Sequence, residues 1–264
     1  MKTTGSDVLA MFAGRSRIAR REHAAWRNDS SKRLVVPVVE AHESAVVYQL
    51  TMDAVQSVCE RTEHALGQSR RDVAERVSVV RDWHPDFAFT HVMHYVLERL
   101  GHLYTYQEFR EFTKIDDGAR SMLRDPAVRI VHEAEQLGFD NDDARSAVRW
   151  RVGNAYYSFL RELHVLVHLR DADVDAHLHP LADALFRTDL WVDDVIVSLY
   201  IGNAFFRKGA VGRKRTPEEI LGDAHPPFRF TAIELPIQRT FGNVHLAKAD
   251  DLGAATSRLR KLVS

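Results

Sequence analysis

Apolar residues recur at helical spacing through most of the first 170 positions of this 264-residue chain. The segment 44–67 places apolar side chains three and four positions apart, which predicts a helix that ends at Gly67. The segment 70–83 repeats this pattern, and the segment 87–101 predicts a further helix with Pro85 in its first turn. The first part of the chain is therefore expected to be helical almost throughout.

Two later helices are predicted between positions 125 and 171. Asp125 and Pro126 are typical of a helix start, and Gly138 is typical of the end of the same helix. The segment 141–171 is the longest uninterrupted helical stretch, although Gly153 in its middle costs about 1 kcal/mol relative to Ala. We expect a neighbour packed closely against Gly153, because such a contact is the usual reason for accepting that cost.

The pattern changes from helical to alternating after position 171. The segment 174–180 alternates apolar and polar residues and predicts a half-buried strand. The segments 182–192 and 193–202 predict two more strands, joined by a tight turn at Asp193 and Asp194, and the β-branched run 195–197 favours a central strand. The remaining predicted elements are a capped short helix at 215–224, strands at 228–236 and 242–247, and a closing helix at 251–264.

This pattern predicts an α/β fold (α+β overall) in two parts. Residues 1–140 form a helical N-terminal region, and residues 141–264 form an α/β domain with a mixed sheet flanked by helices.

Composition and charge narrow the class of protein. The chain has 45% hydrophobic and 28% charged residues, as expected for a folded soluble protein, and no apolar run approaches the roughly 18 residues of a membrane span. The N-terminus lacks the apolar core and cleavage site of a secretory signal. The single cysteine, Cys59, excludes an internal disulfide and a multi-cysteine zinc site, so we expect a cytoplasmic protein without a membrane partner. A net charge of −1 indicates no bulk preference for polyanions.

Several enzyme classes are excluded by their missing motifs. The chain has no glycine-rich phosphate loop of the P-loop or dinucleotide type, no G-x-S-x-G turn, and no evident histidine partner for Cys59. Kinase, NTPase, serine-hydrolase and cysteine-protease functions are therefore not expected.

Acidic residues concentrate where the strands begin. Positions 171–194 hold seven aspartates and one basic residue, Arg187. Carboxylates that converge at a strand edge are the ligands that a hard cation such as Mg²⁺ requires. Asp189 differs from the others because Phe186, Leu190 and Trp191 surround it, and a carboxylate among apolar residues needs a metal, an arginine or several donors.

The order of elements from about residue 145 resembles the restriction-endonuclease-like PD-(D/E)XK nuclease core: a long helix, three consecutive strands, a helix and a fourth strand. In that superfamily a Glu of the first helix and an Asp of the second strand hold a divalent metal, and an acid-x-Lys triplet lies on the third strand. The resemblance implies that Glu162 and Asp189 hold Mg²⁺ and that Asp183 assists.

The sequence departs from that pattern on the third strand, where Ser198, Leu199 and Tyr200 occupy the positions of the triplet. Either Lys208 or Lys214 replaces the missing lysine, or the site does not cut. The basic segment around them suits a phosphodiester substrate, because cations bind backbone phosphates. The residues expected to contact nucleic acid are Arg207, Arg213 and Arg215, together with Arg149 and Arg151 of the long helix.

The sequence thus predicts a protein that engages nucleic acid, above all DNA, with Mg²⁺-dependent phosphodiester hydrolysis in DNA processing or defence. The resemblance also implies a homodimer or a larger complex. One alternative is a catalytically inactive nuclease-fold subunit that binds nucleic acid or a protein partner. A second is a transition-metal enzyme that uses His164, His168, His177 and His179 as ligands. The basic segment 19–33 is expected to be a frayed terminal segment, with an arm that contacts nucleic acid as the alternative.

Overall fold

The computed structural model describes residues 1–201, 215–236, 239–241 and 244–263, with only the backbone described at positions 201 and 239–241. Helices predominate and short strands accompany them, so the predicted mixture of helix and sheet is confirmed. Among the described residues, no helix combines the length and the apolar content that a membrane crossing requires.

The chain forms two compact units that differ from the predicted division at residue 140. The first unit contains Met1–Met52, Arg161–Thr240 and His245–Ser264, and the second contains Asp53–Leu160 and Phe241–Val244. The N-terminal 52 residues therefore share a unit with most of the predicted α/β domain.

The helices in the described part of the chain fall into both units. Two 3₁₀ turns at Ser30–Lys32 and Val46–Gln49 and a π-helical turn at Arg120–Arg124 lie between them. The helices are α1 (Gly5–Met11), α2 (Arg17–Asn28), α3 (Val35–Glu40), α4 (Met52–Arg61), α5 (Arg71–Arg76), α6 (Ser78–Arg81), α7 (Phe89–Leu100), α8 (Tyr106–Ile115), α9 (Asp117–Ala119), α10 (Asp125–Gln136), α11 (Asn141–Asp171), α12 (Pro180–Phe186), α13 (Pro217–Leu221) and α14 (Ala249–Val263).

The strands form three small sheets in the described residues. Strands β1 (Thr3–Thr4) and β2 (Glu43–Ser44) pair antiparallel, and β6 (Arg239–Phe241) pairs with β7 (Val244–Leu246). The third sheet has the order β3 (Leu190–Val192), β4 (Val195–Ile201) and β5 (Arg229–Leu235). Strand β4 is central, as its β-branched run predicts.

The three-stranded sheet combines both directions of pairing. Strand β3 runs antiparallel to β4 with Leu190 opposite Val197, and a turn with Asp193 at φ 48° joins them. Strand β5 runs parallel to β4 with Val195 opposite Arg229. Parallel neighbours need a crossover connection, and here that connection contains α13.

Several predicted helix ends agree with the structure. Helix α11 covers the predicted segment 141–171. Thr216 caps α13, with Pro217 at the first position and Glu219 completing the capping box. A Cβ atom on Gly153 would lie 2.8 Å from Leu66 Cδ2 and 3.0 Å from the backbone of Ala65, which is the close neighbour expected there.

Two predicted strands are much shorter in the structure than the pattern indicates, for one local reason. Residues 182–192 were expected to be extended, but the first half of this segment is helix α12 and only Leu190–Val192 is strand. His179 caps the helix and Pro180 occupies its first turn, so a helix start overrides the alternating pattern. The strand predicted at 174–180 is consequently reduced to one antiparallel bridge between His177 and Trp191.

The N-terminal segments also depart from the prediction. The segment 44–67 is a 3₁₀ turn followed by α4, which already ends at Arg61. The segment 70–83 splits into α5 and α6 at Val77, where ψ is 78°, and α7 begins at Phe89 instead of beside Pro85. The segment 19–33 is not frayed, because α2 and a 3₁₀ turn cover most of it.

Aromatic residues fill the interior of each unit. In the first unit Phe12 lies 5.3–5.6 Å, between ring centres, from Phe186, Trp191 and Phe228. In the second unit, a contiguous aromatic cluster consists of Tyr104, Tyr106, Phe109, Tyr156 and Phe159.

A candidate carboxylate site

Glu162 lies on α11 where this helix passes through the interior of the first unit. All five residues of the run 163–167 that follows it are buried. The Glu162 side chain is itself half-buried, with protein surrounding it and part of its surface still open to solvent. A carboxylate in this situation is costly to ionise unless a cation or a hydrogen-bond donor compensates its charge.

Asp183 and Asp189 flank the connection between α12 and β3. Asp183 lies in the first turn of α12, and Arg187 ends this helix in the left-handed conformation, with φ 58°. That reversal turns the chain so that Asp189 directly precedes β3. The Asp189 Oδ2 atom accepts a hydrogen bond of 2.6 Å from the backbone N–H of Leu199 on β4.

The three acids act on one another electrostatically. Burial, then the negative charges of Asp183 and Asp189, raise the pKa of Glu162 well above its ordinary value. Burial, then Asp183, raise the pKa of Asp189 to about 7, against the opposing effect of the Leu199 N–H. The structure therefore brings together the three residues that the sequence predicts as metal ligands, and we call them the carboxylate cluster.

The chemistry of the cluster suits a hard divalent cation, because all its donors are carboxylate oxygens and its like charges repel. Among the described residues, however, no three His, Cys, Asp or Glu side chains are already placed to hold one metal ion together. Mg²⁺ is commonly held by one or two carboxylates that are completed by water and substrate phosphate. The cluster fits this second mode of binding.

The third strand places no lysine beside the cluster. Ser198, Leu199 and Tyr200 lie on β4, and Leu199 contributes its backbone N–H to Asp189. Sequence reasoning missed this donor, because a main-chain group has no signature in the residue types. The two lysines and two of the arginines predicted to act here lie outside the described residues: Lys208, Lys214, Arg207 and Arg213.

Where the structure describes them, the arginines predicted to contact nucleic acid make ion pairs or hydrogen bonds with other groups of the protein. Arg215 pairs with Glu22 at 2.6 Å between Nη1 and Oε1. Arg149 donates from Nε and Nη2 to the carbonyl oxygens of Ala65 and His64 at 2.9 and 3.0 Å. Arg151 donates from Nη1 to the carbonyl oxygens of Val80 and Trp83 at 2.6 and 2.5 Å. Their nucleic-acid role stays a prediction.

The four clustered histidines take separate positions. Both ring nitrogens of His179 serve the backbone: Nδ1 accepts from the Leu181 N–H at 3.0 Å, and Nε2 lies 3.0 Å from the His42 carbonyl oxygen. Burial lowers the pKa of His179 to about 4. The His177 ring stacks on Trp191 at 5.5 Å, His164 is buried, and burial lowers the pKa of His168. Because His179 has both nitrogens engaged, it is poorly placed to bind a transition metal.

Comparison of the chain with protein-family models, with curated proteins and with solved structures finds no match.

Proposed function

We propose that this protein is a nuclease-like enzyme that hydrolyses phosphodiesters of nucleic acid with Mg²⁺ held by the carboxylate cluster. The observation that carries the proposal is the convergence of Glu162, Asp183 and Asp189, where burial and then like charges raise the pKa of Glu162 and of Asp189. A bound cation relieves this repulsion. No other group of acids in the described residues has a comparable electrostatic environment.

The order of elements also supports the proposal. Helix α11 is followed by the bridging residue His177, then β3, β4, α13 and β5. This order resembles the restriction-endonuclease-like core, with the first strand shortened to a bridge and with α12 inserted after it. Asp189 stands at the start of the second strand and Glu162 on the first helix, as the resemblance requires.

The three acids of the carboxylate cluster have different roles at this site. Asp189 is oriented by the Leu199 N–H, so its carboxylate keeps a fixed position at the edge of β3. Glu162 on α11 and Asp183 on α12 are close enough to act on it or on each other electrostatically, and the cluster would hold Mg²⁺ through one or two of its carboxylates, with water and substrate phosphate as the remaining ligands. Mg²⁺ held there would supply a Lewis acid that activates the attacking water and stabilises charge on the phosphoryl group.

The test is a cleavage assay on single- and double-stranded DNA and RNA with Mg²⁺, Mn²⁺ or EDTA. Asp189→Asn and Glu162→Gln remove one charge each with little change in shape. Glu218→Gln is the matched control, because Glu218 is an exposed acid of α13 in the same unit. We expect metal-dependent cleavage that falls at least about 100-fold in the two cluster variants, by analogy with the loss of a single electrostatic group from an active site, and persists in the control.

A second function is favoured by the residues of β4. With Ser198, Leu199 and Tyr200 at the positions of the triplet, the same domain would bind nucleic acid or a protein partner without cutting it. In that case the protein shows salt-sensitive binding and no cleavage with either metal. Equal cleavage by the parent protein and by both cluster variants would reject the proposed site altogether.

A further inference from the structure

We propose that the solvent-facing side of α2 is a binding surface for the phosphate backbone of nucleic acid. This inference rests on the proposed function and deepens it, because it names a surface that holds the substrate. Nothing in the resemblance to nucleases assigns a role to this helix.

Helix α2 separates its residues sharply between two faces. Its exposed positions, projected at 100° per residue, all fall within one half of the helix, and its inward positions fall in the other half. The exposed side chains include four arginines and no acid: Arg17, Arg20, Arg21, Ala24, Ala25, Arg27 and Asn28. We call this the α2 arginine face.

The acids near this helix, which include the exposed Asp29 at its C-terminal end, leave the face with more positive than negative charge. Glu22, the one acid within α2, is half-buried on the inward side and pairs with Arg215. Asp223 lies 3.7 Å from the Nε atom of Arg17, yet the Arg17 side chain remains 90% exposed. Glu40 lies 3.4 Å from the Nε atom of Arg27, which is also mostly exposed. The guanidinium groups of Arg17 and Arg27 therefore have an acid nearby and still remain exposed to solvent.

The helix is fixed in place, which distinguishes it from a mobile basic tail. The Ser16 side chain caps α2 by accepting from the Ala19 N–H at 2.9 Å and donates to Asp223 Oδ1 at 2.5 Å. Arg215, just before α13, holds Glu22 as described. Helix α2 also packs against α12, the helix that carries Asp183 of the carboxylate cluster. Side chains on a surface of fixed shape lose little conformational entropy when the surface binds a regular polyanion.

The dimensions of the face suit a nucleic-acid backbone. Ten residues separate Arg17 from Arg27, which corresponds to about 15 Å along a helix. Phosphates along one strand of a duplex repeat about every 3.4 Å of its axis, so the face spans about four of them. The two alanines at its centre allow a backbone to approach closely.

An anionic membrane is the rival partner for a basic helix, and the packing of α2 disfavours it. Binding of an amphipathic helix in a membrane interface requires a free apolar face. In α2 the apolar side chains point inward, where Ala19 is buried and Ile18 and Trp26 are half-buried. The exposed side offers charge without an apolar wedge, which suits phosphates in water.

The test measures binding of the full chain to a fluorescent 30-base-pair DNA duplex in EDTA, by anisotropy, across 50–200 mM salt. The double variant Arg17→Gln/Arg21→Gln should bind roughly tenfold more weakly at low salt. Its slope of log affinity against log salt should be smaller by about 1.8, since about 0.9 is expected for each lost phosphate contact. The charge-matched control is Arg124→Gln/Arg129→Gln, two exposed arginines of the second unit.

A second variant keeps every arginine in place. Ala24→Glu puts a negative charge at the centre of the face, and Ala24→Gln has nearly the same shape without the charge. We expect several-fold weaker binding for the Glu variant and parental binding for the Gln variant. Both replacements are good helix formers, so α2 should remain folded, which a melting curve checks.

Three results would overturn the inference. The parent protein fails to bind the duplex, or the α2 variants and the control pair lose affinity equally, or the parent binds vesicles of phosphatidylserine and phosphatidylcholine but no duplex. Failure of the proposed function is seen separately, because binding is measured in EDTA and cleavage with metal. A parent protein that binds the duplex in EDTA but does not cleave it with metal would count against the proposed function alone.

Discussion

Asp189 is the residue at which the electrostatic cost of the carboxylate cluster can be measured directly. Its pKa rises from an ordinary aspartate value to about 7, through burial and the charge of Asp183. Between about pH 4 and pH 7 the folded state therefore binds the proton more tightly than the unfolded state does. The free energy of unfolding consequently falls as pH rises through this window, by up to about 4 kcal/mol for a three-unit shift.

Asp189→Asn should remove much of this pH dependence, because an amide does not ionise. In EDTA we expect the variant to differ little from the parent protein near pH 4, where this window begins, and to melt several degrees higher at pH 8. Excess Mg²⁺ should raise the melting temperature of the parent at pH 8 and leave the variant nearly unchanged. Glu218→Gln provides the control for loss of a charge. If the stability of the parent protein and of the variant depended on pH in the same way, the pKa of Asp189 would not be raised in the folded protein.

At this scale the sequence identified the acids of the site but little of what surrounds them. The order of elements predicts Glu162 and Asp189, and Asp183 is predicted from its place on the expected strand 182–192. The convergence of their charges depends on how α11, α12 and β3 pack, which residue types alone do not encode. The N–H of Leu199 was not foreseeable, because every residue except proline carries the same donor.

At the scale of elements, two helical glycines offer a matched pair of substitutions. In α11 a Cβ on Gly153 would lie 2.8 Å from Leu66 Cδ2 and 3.0 Å from the backbone of Ala65. In α14 a Cβ on Gly253 would meet nothing within 4 Å. Both positions gain about 1 kcal/mol of helix propensity with alanine, but only the first must displace backbone atoms.

We therefore expect Gly153→Ala to lower the free energy of unfolding by about 1–2 kcal/mol and Gly253→Ala to raise it by about 0.5–1 kcal/mol. Chemical denaturation followed by circular dichroism measures both. If both variants gained stability, Ala65 and Leu66 would not be packed against α11 as described.

The elements that the sequence predicted well are those whose ends carry several consistent signals. Helix α13 has a capping threonine, a proline and a glutamate in register, and its start was predicted to the residue. Alternation over a few residues fits both a strand and one side of a short helix, so the pattern of 182–192 predicts a strand in its first half, where the structure has α12. Pro180 after His179 was the local signal that decided between them.

At the scale of the whole molecule, residues distant in sequence share one compact unit. The first 52 residues belong with 161–240, although the sequence pattern assigned them to a separate helical region. Periodicity reports which face of an element is apolar but not which partner will cover it. For this reason the division into units could not be predicted from the chain alone.

Phe12 tests this organisation, because it joins the N-terminal segment to the sheet that Asp189 precedes. Its ring is fully buried and contacts Phe186, Trp191 and Phe228. Phe12→Ala should therefore cost about 3–5 kcal/mol, and Phe12→Leu distinctly less, because leucine fills most of the space. Hydrogen exchange should show lost protection in β3 and β4 as well as in α1. If Phe12→Ala loosened residues 1–52 while β3 and β4 kept their protection, the N-terminal segment would be a separate folding unit after all.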